Sequence, residues 1–217
     1  MSAPSVAVPK RSPCPGRSFL LVPLAMLSAF QLASAPYQGA GTKRMAERLQ
    51  KIAEQSNPLD NPYRNAERAE LFGQQLNQAL EGPDSPEKGE RVLDVGAKYG
   101  TELLLAGRSW EAIQEFTRLD AFIKTSGIRF GSQTRSSLRQ MLAIAYLRLA
   151  EQENCLTNHT LDSCLMPIRG SGIHKIQRGS RKAAELLTEQ LEEFPEDLKA
   201  RWLLNIACMT LGELDVP

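Results

Sequence analysis

Residues 99–116, YGTELLLAGRSWEAIQEF, decide the fold of this chain. Their apolar side chains recur every three or four positions, as on a helix with one buried face, and Gly107 interrupts the pattern where a turn would fall. Small residues at Gly100 and Ala112 would let two helices approach closely, and Phe116 would fill the space between them. The stretch therefore predicts two antiparallel helices joined by a tight turn.

Residues of these types at these spacings resemble the signature of a tetratricopeptide repeat. The chain departs from that signature twice, because Gly96 stands where a tryptophan is usual and Lys124 where a closing proline is expected. A second copy aligns on MLAIAYLRLAE, where Ala143, Tyr146 and Ala150 repeat the spacing of the first copy. The chain is thus expected to contain tandem helical hairpins.

The second copy is interrupted before its second helix. The best equivalent of that helix lies in SRKAAELLTEQLEEFPED, which implies an insertion of about 28 residues at the turn. A third copy begins in DLKARWLLNIACMTLGEL. We therefore predict an all-α protein: a signal peptide or anchor at 1–40, a helical lead-in at 41–84, and a short α-solenoid of tetratricopeptide-like antiparallel hairpins at 85–217, with the insertion at about 153–178.

Proline and cap residues predict the helix boundaries of the lead-in. A first helix should end just before Pro58. Asn61 followed by Pro62, and Ser85 followed by Pro86, each pair a capping side chain with a proline suited to the first helical turn. The second and third helices are therefore expected to start at these two pairs.

The amino-terminal residues have the order of a secretory signal. A basic segment at 10–17 precedes the apolar FLLVPLAMLSAFQL, and no further charge occurs before Lys43. The small residues at 33–35 fit a cleavage site, but Pro36 disfavours cleavage, so a cleaved signal and a retained anchor both stay open. Either alternative predicts an extracytoplasmic protein, whether periplasmic, secreted or anchored at its amino terminus.

The composition argues against several classes of function. The 217 residues carry 26 Lys and Arg against 25 Asp and Glu, a net charge of +1, so no overall field favours nucleic acid. Contact with a membrane is expected only through an uncleaved amino-terminal segment. No nucleophile with an acid-base partner and no phosphate-binding loop stands out, so we predict neither enzymatic activity nor a cofactor.

The stretch ENCLTNHTLDSCLMPIRGSGIH, residues 153–174, contains Cys155, His159, Cys164 and His174. Their spacing fits no common zinc finger or ribbon, and the redox motif C-x-x-C does not occur. In an oxidising compartment, Cys155 and Cys164 would instead form a disulfide that closes the inserted loop. The disulfide is the first interpretation, and a metal site formed by all four residues is the alternative.

Several phrases of the carboxyl-terminal part resemble a known family. NCLTNHTLDSCLMPI, GIHKIQRGSRKA and DLKARWLLNIACMTLGE look like the helical amino-terminal region of bacterial exported proteins that carry an FG-GAP (VCBS) propeller and an ASPIC and UnbV type domain. The resemblance implies that a calcium-binding β-propeller accompanies the helical part, with a role in extracytoplasmic binding. The propeller's D-x-D-x-D-G loops do not occur here, so the resemblance assigns calcium to no residue of this chain.

The function that follows is that of an exported helical-repeat scaffold for protein-protein interaction. Its partner would be a protein, a peptide or a downstream β-propeller domain, lying in the groove that stacked hairpins form. Arg139, Tyr146 and Asn205 are the predicted groove-facing residues. The alternative function is metal binding or redox chemistry centred on the cysteine and histidine insertion.

Overall fold

The computed structural model describes residues 39–214, and the chain divides into two compact units, Met1–Gln55 and Ser56–Pro217. Within residues 39–214 every regular element is a helix, which confirms the predicted all-α class. The predicted signal or anchor lies almost wholly outside the described residues. None of the helices between residues 39 and 214 has the length and apolarity that crossing a bilayer requires.

The described part of the first unit is one helix, α1, Ala40–Gln55. It has no buried residue. Met45, Leu49 and Ile52 lie on one face, and each side chain is 58% exposed.

The described part of the second unit contains six α-helices. They are α2 Asn65–Leu80, α3 Pro86–Leu105, α4 Ser109–Thr125, α5 Ser132–Asn158, α6 Arg178–Glu193 and α7 Leu198–Leu211. Each of them packs against the next in the chain, and α5 also contacts α3 and α7. The helices thus form a stack in which neighbours in the sequence are neighbours in space.

Two of the predicted helix boundaries are confirmed and one is wrong. Ser85 Oγ accepts a hydrogen bond from the Lys88 amide at 3.2 Å, and α3 begins at the following proline. Helix α1 ends before Pro58, as expected. Helix α2 does not begin at Asn61, because the Asn61 side chain accepts from the Tyr63 amide at 3.0 Å and closes a separate turn, so the helix starts only at Asn65.

Helices α3 and α4 meet through the glycine and phenylalanine that the sequence marked. A Cβ atom at Gly100 would lie 2.4 Å from Phe116 Cε1, and the phenylalanine ring is fully buried. Gly107 forms the turn with a φ of 79°, a conformation that side chains other than glycine rarely adopt. This close approach fixes the spacing of the α3–α4 pair.

Helices α5 and α6 pack along each other although residues 159–177 separate them in the sequence. A Cβ atom at Gly179 would lie 2.7 Å from the carbonyl oxygen of Tyr146 and 2.9 Å from Ala150 Cβ. Helix α5 is 27 residues long and extends to Asn158, so the start of the predicted insertion is helical and carries Cys155. The inserted loop therefore leaves from the end of a long helix.

Candidate interaction groove and the cysteine and histidine insertion

A groove opens to solvent where the first half of α3, the end of α4 and the start of α5 meet. Its volume is about 470 Å³, within the range of small ligand pockets. The floor is apolar and contains Leu93, Ala97, Leu119, Ile123, Phe130, Leu138 and Met141. The groove is thus a concave surface at which large apolar side chains of a partner can be buried.

The loop between α4 and α5 forms one wall because it folds back onto α3. Gly89 of α3 makes room for the loop, since a Cβ atom there would lie 2.3 Å from Ile128 Cδ1. The rings of Phe122 and Phe130 lie 6.2 Å apart in a tilted arrangement, which places Phe130 against the core. Gly127, with a φ of 71°, allows the sharp bend.

The rim of the groove carries opposite charges on its two sides. Glu90 and Asp94 stand on α3, and Arg129 stands on the facing loop. Asp94 pairs with Lys98 at 2.7 Å, whereas within residues 39–214 neither Glu90 nor Arg129 has an ion-pair partner. The rim therefore offers one carboxylate and one guanidinium to a ligand that lies across the floor.

The three residues predicted to face a partner groove lie elsewhere. None of them lines the groove between α3 and α5. Tyr146 is partly buried and packs against the core, and Asn205 is exposed on α7. Arg139 donates to Gln190 Oε1 at 3.1 Å and to Glu193 Oε2 at 3.0 Å, so its guanidinium joins α5 to α6. A role of these residues in binding stays a prediction.

The contacts of Gln190 continue this connection to α7. Gln190 is buried, and its amide nitrogen lies 2.5 Å from Ser136 Oγ and 3.1 Å from Asp197 Oδ2. Asp197 also accepts from the Ala200 amide at 2.9 Å, which makes it the amino-terminal cap of α7. The bond from Ala200 lowers the pKa of the Asp197 carboxyl, with a further contribution from Gln190. One polar network thus joins three helices.

The return of the inserted loop is held by Asn154, which is 5% exposed near the end of α5. Its Oδ1 atom accepts from the amides of Lys175 and Ile176 at 2.8 and 3.0 Å. Its Nδ2 atom donates to the carbonyl oxygens of Ala150 and Ile176 at 2.8 and 2.9 Å. This one amide thus binds part-buried backbone groups of the loop at both its donor and its acceptor atom.

Within the loop, hydroxyl and carboxyl groups make short local bonds. Ser171 Oγ donates to Asp162 Oδ2 at 2.5 Å, and Thr160 contacts both Ser163 and Ser171. A Cβ atom at Gly172 would lie 2.6 Å from the Asp162 carbonyl oxygen, so the outgoing and returning segments of the loop are in contact. These bonds give the loop a defined shape.

Cys155 lies in the last turn of α5, and His159 and Cys164 lie at the beginning of the loop. Both cysteines are exposed and free, and Cys164 Sγ is 3.8 Å from His159 Nε2. Partial desolvation against α5 and the loop raises the pKa of the Cys155 thiol although the residue is exposed, and the charges of Glu151 and Cys164 raise it further. A raised pKa disfavours the thiolate, the form that attacks substrates and binds metals. The predicted disulfide between the two cysteines stays a prediction.

His174 lies at the other end of the loop and is bound to different elements. Its amide donates to the Thr210 carbonyl oxygen at 2.9 Å, and its Nδ1 atom is 3.0 Å from Ser180 Oγ. Burial lowers the pKa of His174, against a smaller opposing effect of Glu151. Ser180 is 0% exposed, so its hydroxyl is out of contact with solvent. The pair joins the loop to α6 and α7.

The four residues of the metal alternative are therefore not brought together as one set. In the described part of the chain, no group of three or more His, Cys, Asp or Glu side chains has the arrangement to hold a metal ion.

The groove residues were not identified from the sequence. Leu93, Phe130 and Met141 come from three elements, and only the packing of those elements makes them neighbours.

Comparison of the chain with protein families, with curated proteins and with solved structures gives no match. The groove and the loop are therefore assigned from their own geometry and chemistry.

Proposed function

We propose that this protein is a scaffold whose α3–α5 groove binds a segment of a partner protein. The observation that carries the proposal is the open groove of about 470 Å³ with an apolar floor. Concave sites lined mainly by apolar side chains, with a few polar groups at their edge, are the usual sites of ligand binding.

We further propose that the helical stack is tetratricopeptide-like. Its support is the pairing of α3 with α4 through Gly100 and Phe116, together with the contacts between alternate helices. Proteins built from stacked helical hairpins use extended concave surfaces for binding.

The chemistry of the groove restricts the ligand. The floor favours one or two large apolar side chains, because burying them removes apolar surface from water on both partners. On the rim, Glu90 favours a basic residue of the ligand and Arg129 favours an acidic one. We therefore propose a peptide segment with an apolar centre flanked by opposite charges.

The setting of this function is also a proposal. The signal-like amino-terminal sequence supports export, and the resemblance to propeller-bearing proteins supports a role as the helical module of a larger protein. In that arrangement, a segment of the accompanying propeller is one partner for the groove.

The test is selection of peptides from a random display library on the purified protein. The selected peptides should share a large apolar residue with a basic group on one side and an acidic group on the other. Their affinities are then measured by fluorescence anisotropy for the wild type, for Phe130→Ala and for the control Leu105→Ala. Leu105 is a matched apolar residue, 62% exposed at the end of α3 and outside the groove.

Phe130→Ala should weaken binding at least about tenfold, because truncation of a central apolar contact has that effect at interfaces. Leu105→Ala should leave the affinity unchanged. Glu90→Lys should change which peptides are selected, in favour of an acidic residue at the matching position. Equal affinities for the wild type and Phe130→Ala would show that the peptides bind elsewhere and would refute the proposal.

A further inference from the structure

Helix α1 is amphipathic but lacks a packing partner within the described residues of its unit. Its large apolar side chains, Met45, Leu49 and Ile52, form one stripe, here called the α1 stripe, and each is 58% exposed. An isolated helix of 16 residues is only marginally stable in water, since most helical stability in proteins comes from packing of an apolar face. The helix therefore requires a surface that covers the stripe.

The charges around the helix indicate what kind of surface this is. Helix α1 has four basic residues and two acidic ones. At about 100° per residue, Arg44, Arg48 and Lys51 follow one edge of the stripe, whereas Glu47 and Glu54 lie on the opposite side of the helix. The three cations thus lie nearer to the stripe than either carboxylate does.

A second observation comes from the sequence before the helix. No charged residue occurs between Arg17 and Lys43, and the apolar FLLVPLAMLSAFQL lies within this interval. A segment of this composition enters a membrane as a signal or as an anchor. Residues 33–39 separate this segment from α1, so a chain that keeps the segment as an anchor holds α1 close to the lipid headgroup region.

We propose that α1 lies along an anionic lipid surface. The α1 stripe is buried at the boundary between headgroups and acyl chains, Arg44, Arg48 and Lys51 contact lipid phosphates, and the two glutamates face water. A second copy of the helix is a poorer candidate for the surface that covers the α1 stripe. The stripe spans little more than one heptad, and a stable coiled coil needs several. The inference is independent of the groove.

The experiment measures amide hydrogen exchange in residues 40–55 of the full chain. The protein is reconstituted into vesicles of phosphatidylcholine alone and into vesicles with an equal part of phosphatidylglycerol. This local measurement reports on α1 even when the preceding apolar segment holds the chain in both kinds of vesicle. Exchange should be about tenfold slower in the anionic vesicles, and high salt should reduce the difference.

Three variants assign the effect to the proposed contacts. Met45→Ser/Leu49→Ser/Ile52→Ser should abolish the protection. Arg44→Gln/Arg48→Gln/Lys51→Gln keeps residues that favour helices and should abolish the difference between the two lipids. The control Glu47→Gln/Glu54→Gln should retain the protection, because these carboxylates face away from the lipid.

Equal exchange of α1 in the two kinds of vesicle would overturn the proposal. It would also be overturned by protection that appears without lipid and grows with protein concentration, since that result identifies a second copy as the partner. All variants should bind the groove peptides with wild-type affinity, so failure of this inference is distinguishable from failure of the proposed function.

Discussion

The close approach of α3 and α4 gives a sharp prediction for Gly100→Ala. The added Cβ atom would lie 2.4, 2.8 and 2.9 Å from three atoms of the Phe116 ring. The ring is rigid and fully buried, so the two helices must separate to make room. The substitution should therefore destabilise the second unit even though alanine is the better helix former.

The size of the effect follows from two opposing contributions. Overpacking of a core costs about 1–3 kcal/mol, and contacts this short with a ring that has no free space place Gly100→Ala near the upper end. Replacing a helical glycine by alanine gains up to about 1 kcal/mol. The net loss is about 2 kcal/mol, which lowers the melting temperature by about 4–8 °C for a unit of this size.

The assay is thermal and urea unfolding followed by circular dichroism, with Gly73→Ala as the matched control. Gly73 is also helical, but its added Cβ atom would lie 3.3 Å from the nearest atom, on the partly buried ring of Tyr99. Gly73→Ala should therefore be neutral or slightly stabilising.

A double-mutant cycle with Phe116→Leu then tests the cause. The smaller side chain should relieve the collision, so the double variant should be at least about 0.5 kcal/mol more stable than additivity predicts. An unchanged melting temperature of Gly100→Ala, or strict additivity with Phe116→Leu, would refute the proposed collision.

Four further predictions concern the loop and the later helices. Asn154→Ala should cost about 1–3 kcal/mol and speed hydrogen exchange in residues 159–177, because the amides of Lys175 and Ile176 lose their partner; unchanged exchange would show that Asn154 does not hold the loop. Gly179→Ala should cost about 2–3 kcal/mol in urea unfolding, because the new atom meets the backbone of α5; wild-type stability would show that α5 and α6 are not in contact. Asp197→Ala should cost about 1 kcal/mol at neutral pH through loss of the cap. The pKa of Asp197 is lowered in the folded protein, so its carboxylate stabilises the fold above about pH 4 and loses this effect as the pH falls through the lowered pKa. The stability difference between Asp197→Ala and the wild type should therefore narrow in acid. A difference that stays constant with pH would disprove this contribution of the carboxylate. Oxidised glutathione should remove two titratable thiols from the denatured protein, and Cys155→Ser should prevent a bond to Cys164; an unchanged thiol count would refute the predicted disulfide.

The helical class and several helix boundaries were predictable because they depend on neighbours in the sequence. Ser85 caps α3 through an amide three residues away, and Gly107 forms the short turn between α3 and α4. The same local reasoning was wrong at Asn61, whose side chain caps a turn instead of a helix. An asparagine followed by a proline is compatible with both structures, and the sequence pattern alone does not distinguish them.

The candidate site was less predictable, because its residues come from distant parts of the chain. The groove-facing prediction selected Arg139, yet that guanidinium is held by Gln190 and Glu193 of another helix. No sequence pattern indicated that Phe130 lies in a groove, since a single aromatic residue in a connecting loop is as compatible with exposure as with packing. Its place in the groove is set by the packing of the loop against the start of α3, where Gly89 makes room for Ile128.

By itself, the sequence determined where helices form and that two of them approach closely at Gly100, because hydrogen bonds and side-chain spacing within a helix extend over only a few residues. The tertiary structure decided which surfaces meet. It joined the inserted loop to α5 through Asn154, paired His174 with Ser180, and formed a groove from three helices and the loop between α4 and α5. These outcomes depend on close packing between residues that are distant in the sequence, which no local pattern specifies.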